Sequence, residues 1–502
     1  MRNNPVIKKV NLKENFVYNF LLTGSNLLFP LLTFPYLSRV LGANGLGICN
    51  FITSYSQNFI IVAALGLPVY GSREIAKLGD NKPKRSKLFF ELITIHLFFT
   101  CFLLFIYIAS IFMYTEIRDY KSLALLGGSL ILFNVFSIEW LFVGLSDFKY
   151  ITLRSLLIKV FSVISIFILV KSKEDFTILF TIIVCTAFLT VLVNIFHARN
   201  HITTRIILTY KGIKLHLKSI FILGGYMVLT SIYSVLPATL LGFLSTKSAV
   251  GYYYGANQII RMVISVFASL ITVMVPRMNQ IFEQQGKKEY LALVHKSLHI
   301  VISLGIPITF FIFLLADPIV MLLAGKNFIN SITVIKIMAP IILIVAFAQV
   351  FVLLILSVNR KDNQMVLLSI IGMVVSLSIN LIFIPYFAEN ATGFSQLIAE
   401  FLVTSVSFFL AKRVLDFNFP IREFLLNLLF VIPFAIITYF SFKFFNNNFI
   451  IIIISVLLCG IYFIFYQLFL IKDKILIEMA IPLYQKLKKD KWGKMFQLKE
   501  LK

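Results

Sequence analysis

The chain has 502 residues, 59% of them hydrophobic and 14% charged, with 53 phenylalanines and a mean hydropathy of +0.92. Soluble domains hold about 45–50% apolar residues, so composition excludes a water-soluble globular protein and predicts an all-α integral membrane protein built from long apolar runs. A formal net charge of +24 would point to nucleic acid in a soluble chain. Here Lys and Arg lie between apolar runs rather than on one folded face, so they report orientation in a bilayer, and no nucleic-acid partner is expected.

Residues 1–14 are polar and basic and lack a short apolar core followed by a small-residue cleavage site, so the first helix is expected to act as an uncleaved anchor. A window of about 20 residues then finds fourteen candidate transmembrane spans, centred near residues 27, 57, 101, 133, 161, 187, 231, 262, 306, 345, 376, 403, 432 and 460. Connections are short throughout. The two largest loops, 72–87 and 198–217, are both basic.

The placement of the 46 Lys and Arg gives orientation. One side collects 35, from the N-terminus through Arg73–Lys87, Lys149 and Arg154, Arg199–Lys218 and Arg277–Lys296 to the tail from Lys472. The other side holds 8, among them Arg39, Lys173, Lys247 and Lys326, while Lys159, Arg261 and Lys336 fall within spans. Both termini are therefore expected in the cytoplasm, which requires an even number of crossings. The four cysteines, Cys49, Cys101, Cys185 and Cys459, all sit in apolar runs as small hydrophobes, without metal spacing or a disulfide framework.

Internal similarity recurs at a spacing of about 205 to 210 residues. Leu41-Gly42-Ala43-Asn44-Gly45-Leu46-Gly47 is echoed by Ser245-Thr246-Lys247-Ser248-Ala249-Val250-Gly251, Pro68 by Pro276, and Leu145-Ser146 by Leu356-Ser357. The order of these matches predicts two six-helix lobes in pseudo-twofold repeat, 1–217 and 218–416, followed by two extra transmembrane helices in 417–471 and a basic cytoplasmic tail, 472–502. Repeats separated by six crossings are parallel, with a site expected at their interface.

Phe34 to Gly47, with its glycine-punctuated turn and single arginine, and Gly71-Ser72-Arg73-Glu74-Ile75-Ala76 after the second span resemble the polysaccharide transport family, the O-antigen or repeat-unit flippase type, of the multidrug/oligosaccharidyl-lipid/polysaccharide exporter superfamily. The resemblance implies two lobes around a central cationic cavity. It implies translocation of an undecaprenyl-diphosphate-linked oligosaccharide from the cytoplasmic to the outer leaflet by alternating access, in the bacterial cell (inner) membrane. It also implies assembly partners such as a polysaccharide polymerase and chain-length proteins. Drug exporters share that fold, so a multidrug or small-molecule cation antiporter is the alternative, favoured by a neutral or acidic cavity. A glycan polymerase or ligase would need an outer domain with a catalytic cluster, against which the loop lengths argue.

Polar residues within spans are the site candidates. Arg261 lies mid-depth in the eighth span, with Asn257 and Ser265 one turn away on the same face. A bidentate guanidinium suits a diphosphate. Asn50, Ser54 and Gln57 form a polar stripe in the second span, and Tyr226, Thr230 and Tyr233 another in the seventh; sugar contact and interhelical hydrogen bonding are both open for these. Glu139 and Lys159 are expected to form an ion pair, with cation or proton coupling through Glu139 as the alternative. Lys336 and Arg39 lie close enough to the outer surface to snorkel, which is the expectation for Lys336; for Arg39, within the family motif, substrate binding stays open. His96 and Glu400 are further candidates for proton coupling. No GxGxxG, Walker A or ligand-spaced His/Cys/Asp pattern is present. An enzyme, a cofactor and a metal are therefore not expected, and the work must come from an ion gradient, the membrane potential or the substrate gradient.

Overall fold

The computed structural model describes residues 12–203, 210–284 and 286–471, and the side chain of Tyr226 is among those outside the described residues. Among the described residues the chain is helical and contains no strand. In chain order the principal helices are α1 (Leu12–Ala64), α2 (Leu67–Leu78), α3 (Lys82–Met113), α4 (Lys121–Val135), α5 (Glu139–Gly144), α6 (Phe148–Leu169), α7 (Phe176–Ala198), α8 (Tyr210–Ser234), α9 (Leu236–Leu244), α10 (Lys247–Gln284), α11 (Lys287–Leu314), α12 (Ala316–Leu323), α13 (Ser331–Met338), α14 (Ile341–Gln349), α15 (Asp362–Val414), α16 (Ile421–Phe430), α17 (Pro433–Phe444) and α18 (Asn448–Phe465).

Among the described residues, eleven helices are long and apolar enough to cross a membrane, or twelve when the bent pair Leu21–Ala64 and Leu67–Leu78 counts as one span. Two of these elements exceed any bilayer. At 1.5 Å per residue, the 53 residues of α1 and the 53 of α15 would each run about 80 Å, against a hydrocarbon core of about 30 Å. Each is broken midway, α1 at Gly42 (φ 67°, ψ −176°) and α15 at Ala388 (φ 46°, ψ −125°). Glycine reaches the first of these conformations without penalty. The alanine holds a left-handed φ at a cost of order 1–3 kcal/mol, which packing around it must offset.

Short starts and stops are written in the sequence. Pro68, Pro83 and Pro237 sit in the first turns of α2, α3 and α9, where the missing N–H is harmless. Asn81 caps α3 by accepting from the Lys84 amide (3.1 Å), and Asp147 caps α6 by accepting from Tyr150 (3.3 Å).

The longest interface joins α1 to α10. α11 and the segment Ser331–Ser357 are the most enclosed spans, so the densest apolar core lies in the later part of the chain. α16–α18 attach to α11 and α12. They are pinned by His299 Nδ1 against Glu423 Oε2 (2.6 Å) and by Gln467 donating to the buried Asn427 (2.7 Å). Leu304, Pro307 and Phe311 of α11 and Phe434, Cys459 and Phe463 of the appended helices line an apolar groove of about 190 Å³ between the two groups.

Candidate functional site

The turn at Gly42 and its echo near Lys247 lie on the side opposite the basic loops, and the repeat segments meet each other there. A Cβ added to Gly47 would stand 1.7 Å from the Lys247 carbonyl oxygen, and one added to Gly251 would stand 1.9 Å from that of Ala43. Backbone thus lies against backbone in a reciprocal seam between α1 and α10 that only glycine permits. Arg39 reaches across with it. Its guanidinium donates to the carbonyls of Pro35 (2.8 Å) and Leu322, and Ser38 donates to Leu323 (3.3 Å). Lys247 returns the contact, its ammonium 3.9 Å from the ring centroid of Phe51. Arg39 therefore bridges elements at this face rather than snorkelling freely.

Deeper along α10, one helical face carries Tyr253, Asn257 and Arg261 at four-residue intervals. The Tyr253 hydroxyl donates to Gln396 of α15 (2.8 Å). One turn further on α15, Glu400 interacts electrostatically with Arg261. Arg261 is exposed and donates from Nε to Asn257 Oδ1 (3.0 Å). Its two terminal nitrogens have no hydrogen-bond partner among the described residues, so the fork that grips carboxylate or phosphate is available. Ser265, on the same face, turns back to the Met262 carbonyl.

The two polar stripes take different roles. Asn50 satisfies itself on the Leu46 carbonyl (2.8 Å), whereas Gln57 has no hydrogen bond among the described residues. Ser54 joins a network that sequence reasoning missed: Asn58 donates to the Ser54 carbonyl (2.8 Å) and to Thr239 (2.9 Å), whose hydroxyl reaches Ser54 Oγ (3.1 Å). That network ties α1 to α9. The Thr230 hydroxyl lies 3.3 Å from Ser369 of α15, the interhelical alternative for this residue, and Tyr226 lies outside the described side chains.

The expected pairing of Glu139 with Lys159 requires correction. Glu139 Oε2 instead accepts from Arg154 (3.0 Å), which also donates to Asn194 Oδ1 (2.5 Å). Lys159 donates to Ser25 (2.8 Å) and Asn26 (2.5 Å) of α1. Arg154, counted above with the loop cations, is buried in α6. Arg154, Ser155 and Lys159 line a cavity of about 340 Å³ against Leu130 of α4 and Thr186 and Thr190 of α7, and the buried Arg154 Nε has no partner among the described residues. Two cations against one carboxylate give this pocket a positive balance. Glu139 is half exposed (51%) while Arg154 is not (5%), so the two ends of the pair are unequal. Arg154→Met is expected to cost about 1–3 kcal/mol, because it removes the charged hydrogen bonds made at the buried end of the pair, to Asn194 and Glu139. Glu139→Gln should cost under about 1 kcal/mol because water screens that end. Thermal unfolding of the purified protein measures both, and equal losses would contradict the asymmetry.

Lys336 also differs from expectation, pairing with Asp317 at 2.6 Å. His96 is buried in α3, and neither ring nitrogen has a partner among the described residues. On α15, the buried Asn380 donates to the Ser376 carbonyl (2.7 Å) and to Ser395 (2.6 Å), which couples the two halves of that broken rod.

Long apolar helices joined by short connections, with their intramembrane charges paired or gathered around polar clefts, define a multi-pass α-helical membrane protein. The chain belongs to the family described as polysaccharide biosynthesis protein, which matches residues 12–282, more than half its length. It is 27% identical over 415 residues to an Escherichia coli (strain K12) protein described as an O-antigen transporter, covering 79% of this chain and 96% of that one. It is 23% identical over 303 residues to a protein of the same description from Shigella dysenteriae, covering 59% and 75%. Among solved structures, "Lipid II flippase MurJ, inward closed conformation" superposes with a TM-score of 0.77 at 14% identity, covering 92% of this chain and 100% of that chain. An outward-facing multidrug resistance MATE family transporter of the MOP superfamily gives 0.55 at 15% identity, covering 82% and 98%. At these low identities the two superpositions show a shared fold.

Proposed function

We propose that this chain is a flippase for a lipid-diphosphate-linked oligosaccharide, a repeat unit of O-antigen or another surface polysaccharide, and that it works by alternating access. The observation that carries the reading is Arg261: an intramembrane guanidinium, positioned through Nε by Asn257, with both terminal nitrogens open. An intramembrane arginine is expensive, some 2.5–3.5 kcal/mol on insertion scales, and is retained where it meets a ligand or a cavity. A diphosphate repays that cost with bidentate, charge-assisted hydrogen bonds. The positive pocket at Arg154 and Lys159 supplies a further attraction for an anion and opposes a cationic drug. Gln57 is the polar group of the α1 stripe left available to a sugar.

In this reading, dividing α1 at Gly42 and α15 at Ala388 gives fourteen crossings. The basic face is cytoplasmic, both termini lie there, and two lobes, 1–217 and 218–416, rock about the α1–α10 seam. The host bilayer is a bacterial inner membrane, and α16–α18 offer a docking surface to a polymerase or chain-length partner. A negative-inside potential assists outward movement of the diphosphate by about 2.3 kcal/mol per charge at 100 mV. The proposal is tested by complementation of strains lacking defined flippases, scored as surface glycan. Restored glycan supports it, and failure across every lipid-diphosphate acceptor strain, at verified membrane expression, defeats it.

A further inference from the structure

His197 and His201 stand four residues apart at the end of α7, and the chain brings Asp147, fifty residues earlier, up to them at the corner before α6. One ligand atom from each of the three side chains lies within 4.8 Å of the others. All three residues are half-buried at the basic face, His197 in the last turn of its span and Asp147 and His201 beyond the span ends, and all are remote in sequence from Arg261. We propose that Asp147, His197 and His201 bind a divalent transition metal of the zinc type, tying the corner before α6 to the end of α7.

The donor chemistry fits. Two imidazoles and one carboxylate form a mixed nitrogen and oxygen set suited to zinc, with a fourth position left for water. Metal–ligand bonds of about 2.0–2.1 Å place tetrahedral donors roughly 3.3 Å apart. His197 Nε2 and Asp147 Oδ2 already stand 3.0 Å apart, so the metal takes the place of the proton between them and His201 has only to close in.

The surroundings orient the ligands. Asp147 divides its labour: Oδ1 caps α6 by accepting from the Tyr150 amide, which leaves Oδ2 facing the histidines. The Tyr150 ring lies flat on His197, with centroids 3.7 Å apart and planes 9° apart, which fixes the imidazole plane. The same tyrosine donates its hydroxyl to Asn194, the acceptor for Arg154. A metal here would therefore steady the chain of contacts that leads to the cationic pocket. Arg85 packs beside the cluster, but its guanidinium is held by the carbonyls of His201 and Gly79.

The test is a titration of the full chain in detergent micelles, without a histidine tag, using Zn²⁺ alone against a competing chromophoric chelator. One Zn²⁺ per chain is expected, bound at least tenfold more weakly by His201→Ala and by His197→Ala and unchanged by His295→Ala. His201 accepts no side-chain hydrogen bond in the cluster, so His201→Ala keeps the fold. Its metal-free thermal midpoint should match that of the parent, while Zn²⁺ raises the midpoint of the parent alone. Absence of a stoichiometric Zn²⁺ in the parent chain, or equal binding by the parent and His201→Ala, overturns the proposal. A Co²⁺ derivative should absorb as a tetrahedral site, and its loss in His201→Ala locates the metal.

Discussion

Arg261→Ala should reduce export of lipid-linked oligosaccharide by about ten- to a hundredfold, the loss of a charge-assisted grip of about 1.5–3 kcal/mol. Arg261→Lys should recover part of it, since an ammonium keeps the charge but not the planar fork. The readout is surface glycan in a complemented flippase-null strain at matched expression, supported by uptake of the lipid-linked donor into proteoliposomes. Asn257→Ala removes only the Nε anchor and should give a smaller defect that larger substrate supply overcomes. Glu400 gives the experiment its internal control. Its carboxylate interacts with the same guanidinium and, in the proposed reading, would compete with a diphosphate for it, so Glu400→Gln should strengthen anion binding even if it slows turnover. Full export by Arg261→Ala removes Arg261 from substrate binding, and weaker anion binding in Glu400→Gln removes the competition.

Much of this architecture is legible in the sequence because a bilayer demands long apolar runs and places basic loops on one side. The broken rods are an instance: Gly42 sits between two apolar runs, and its turn is where the sequence locates it. Arg261 is likewise legible, as a lone arginine in an otherwise uncharged stretch. What sequence cannot supply is which polar group meets which. Glu139 and Lys159 looked level on either side of the corner at Asp147. Counting 1.5 Å per residue from Asp147 puts Glu139 and Arg154 at nearly equal depth, with Lys159 some 7 Å further in. Arg154 lies close enough to the loop for its charge to read as that of a loop cation. The grouping of His197 and His201 with Asp147 was invisible for a different reason: two ligands four apart form a common helical spacing, and the third arrives only through the packing of α6 on α7. The repeat of Leu41–Gly47 in Ser245–Gly251 was visible as a pattern, but its reciprocal contact required the fold.

That contact gives the other large effect, and Gly47→Ala should prevent the two repeat segments from closing on each other. A Cβ 1.7 Å from the Lys247 oxygen cannot be accommodated by rotating a side chain, because the obstacle is backbone on both sides. α1 and α10 must part by more than 1 Å, which also stretches the Arg39 bridge to Leu322 and lifts Lys247 from Phe51. Overpacking of this kind costs about 1–3 kcal/mol, enough to shift a two-state equilibrium by roughly five- to a hundredfold. Spin labels at Lys173 and Lys326, on the loops of this face, should show a longer mean separation in Gly47→Ala than in the parent. Gly251→Ala should do the same, since its Cβ would stand 1.9 Å from the Ala43 oxygen. The two changes break one seam, so the double variant should move the distance little beyond either single one. Additive shifts would mean that the glycines act at separate places, and an unchanged distance in Gly47→Ala would mean that the seam does not hold this face shut. Transport separates gating from folding. A variant that inserts normally and still binds the lipid-linked donor, yet exports it slowly, has lost closure of this face.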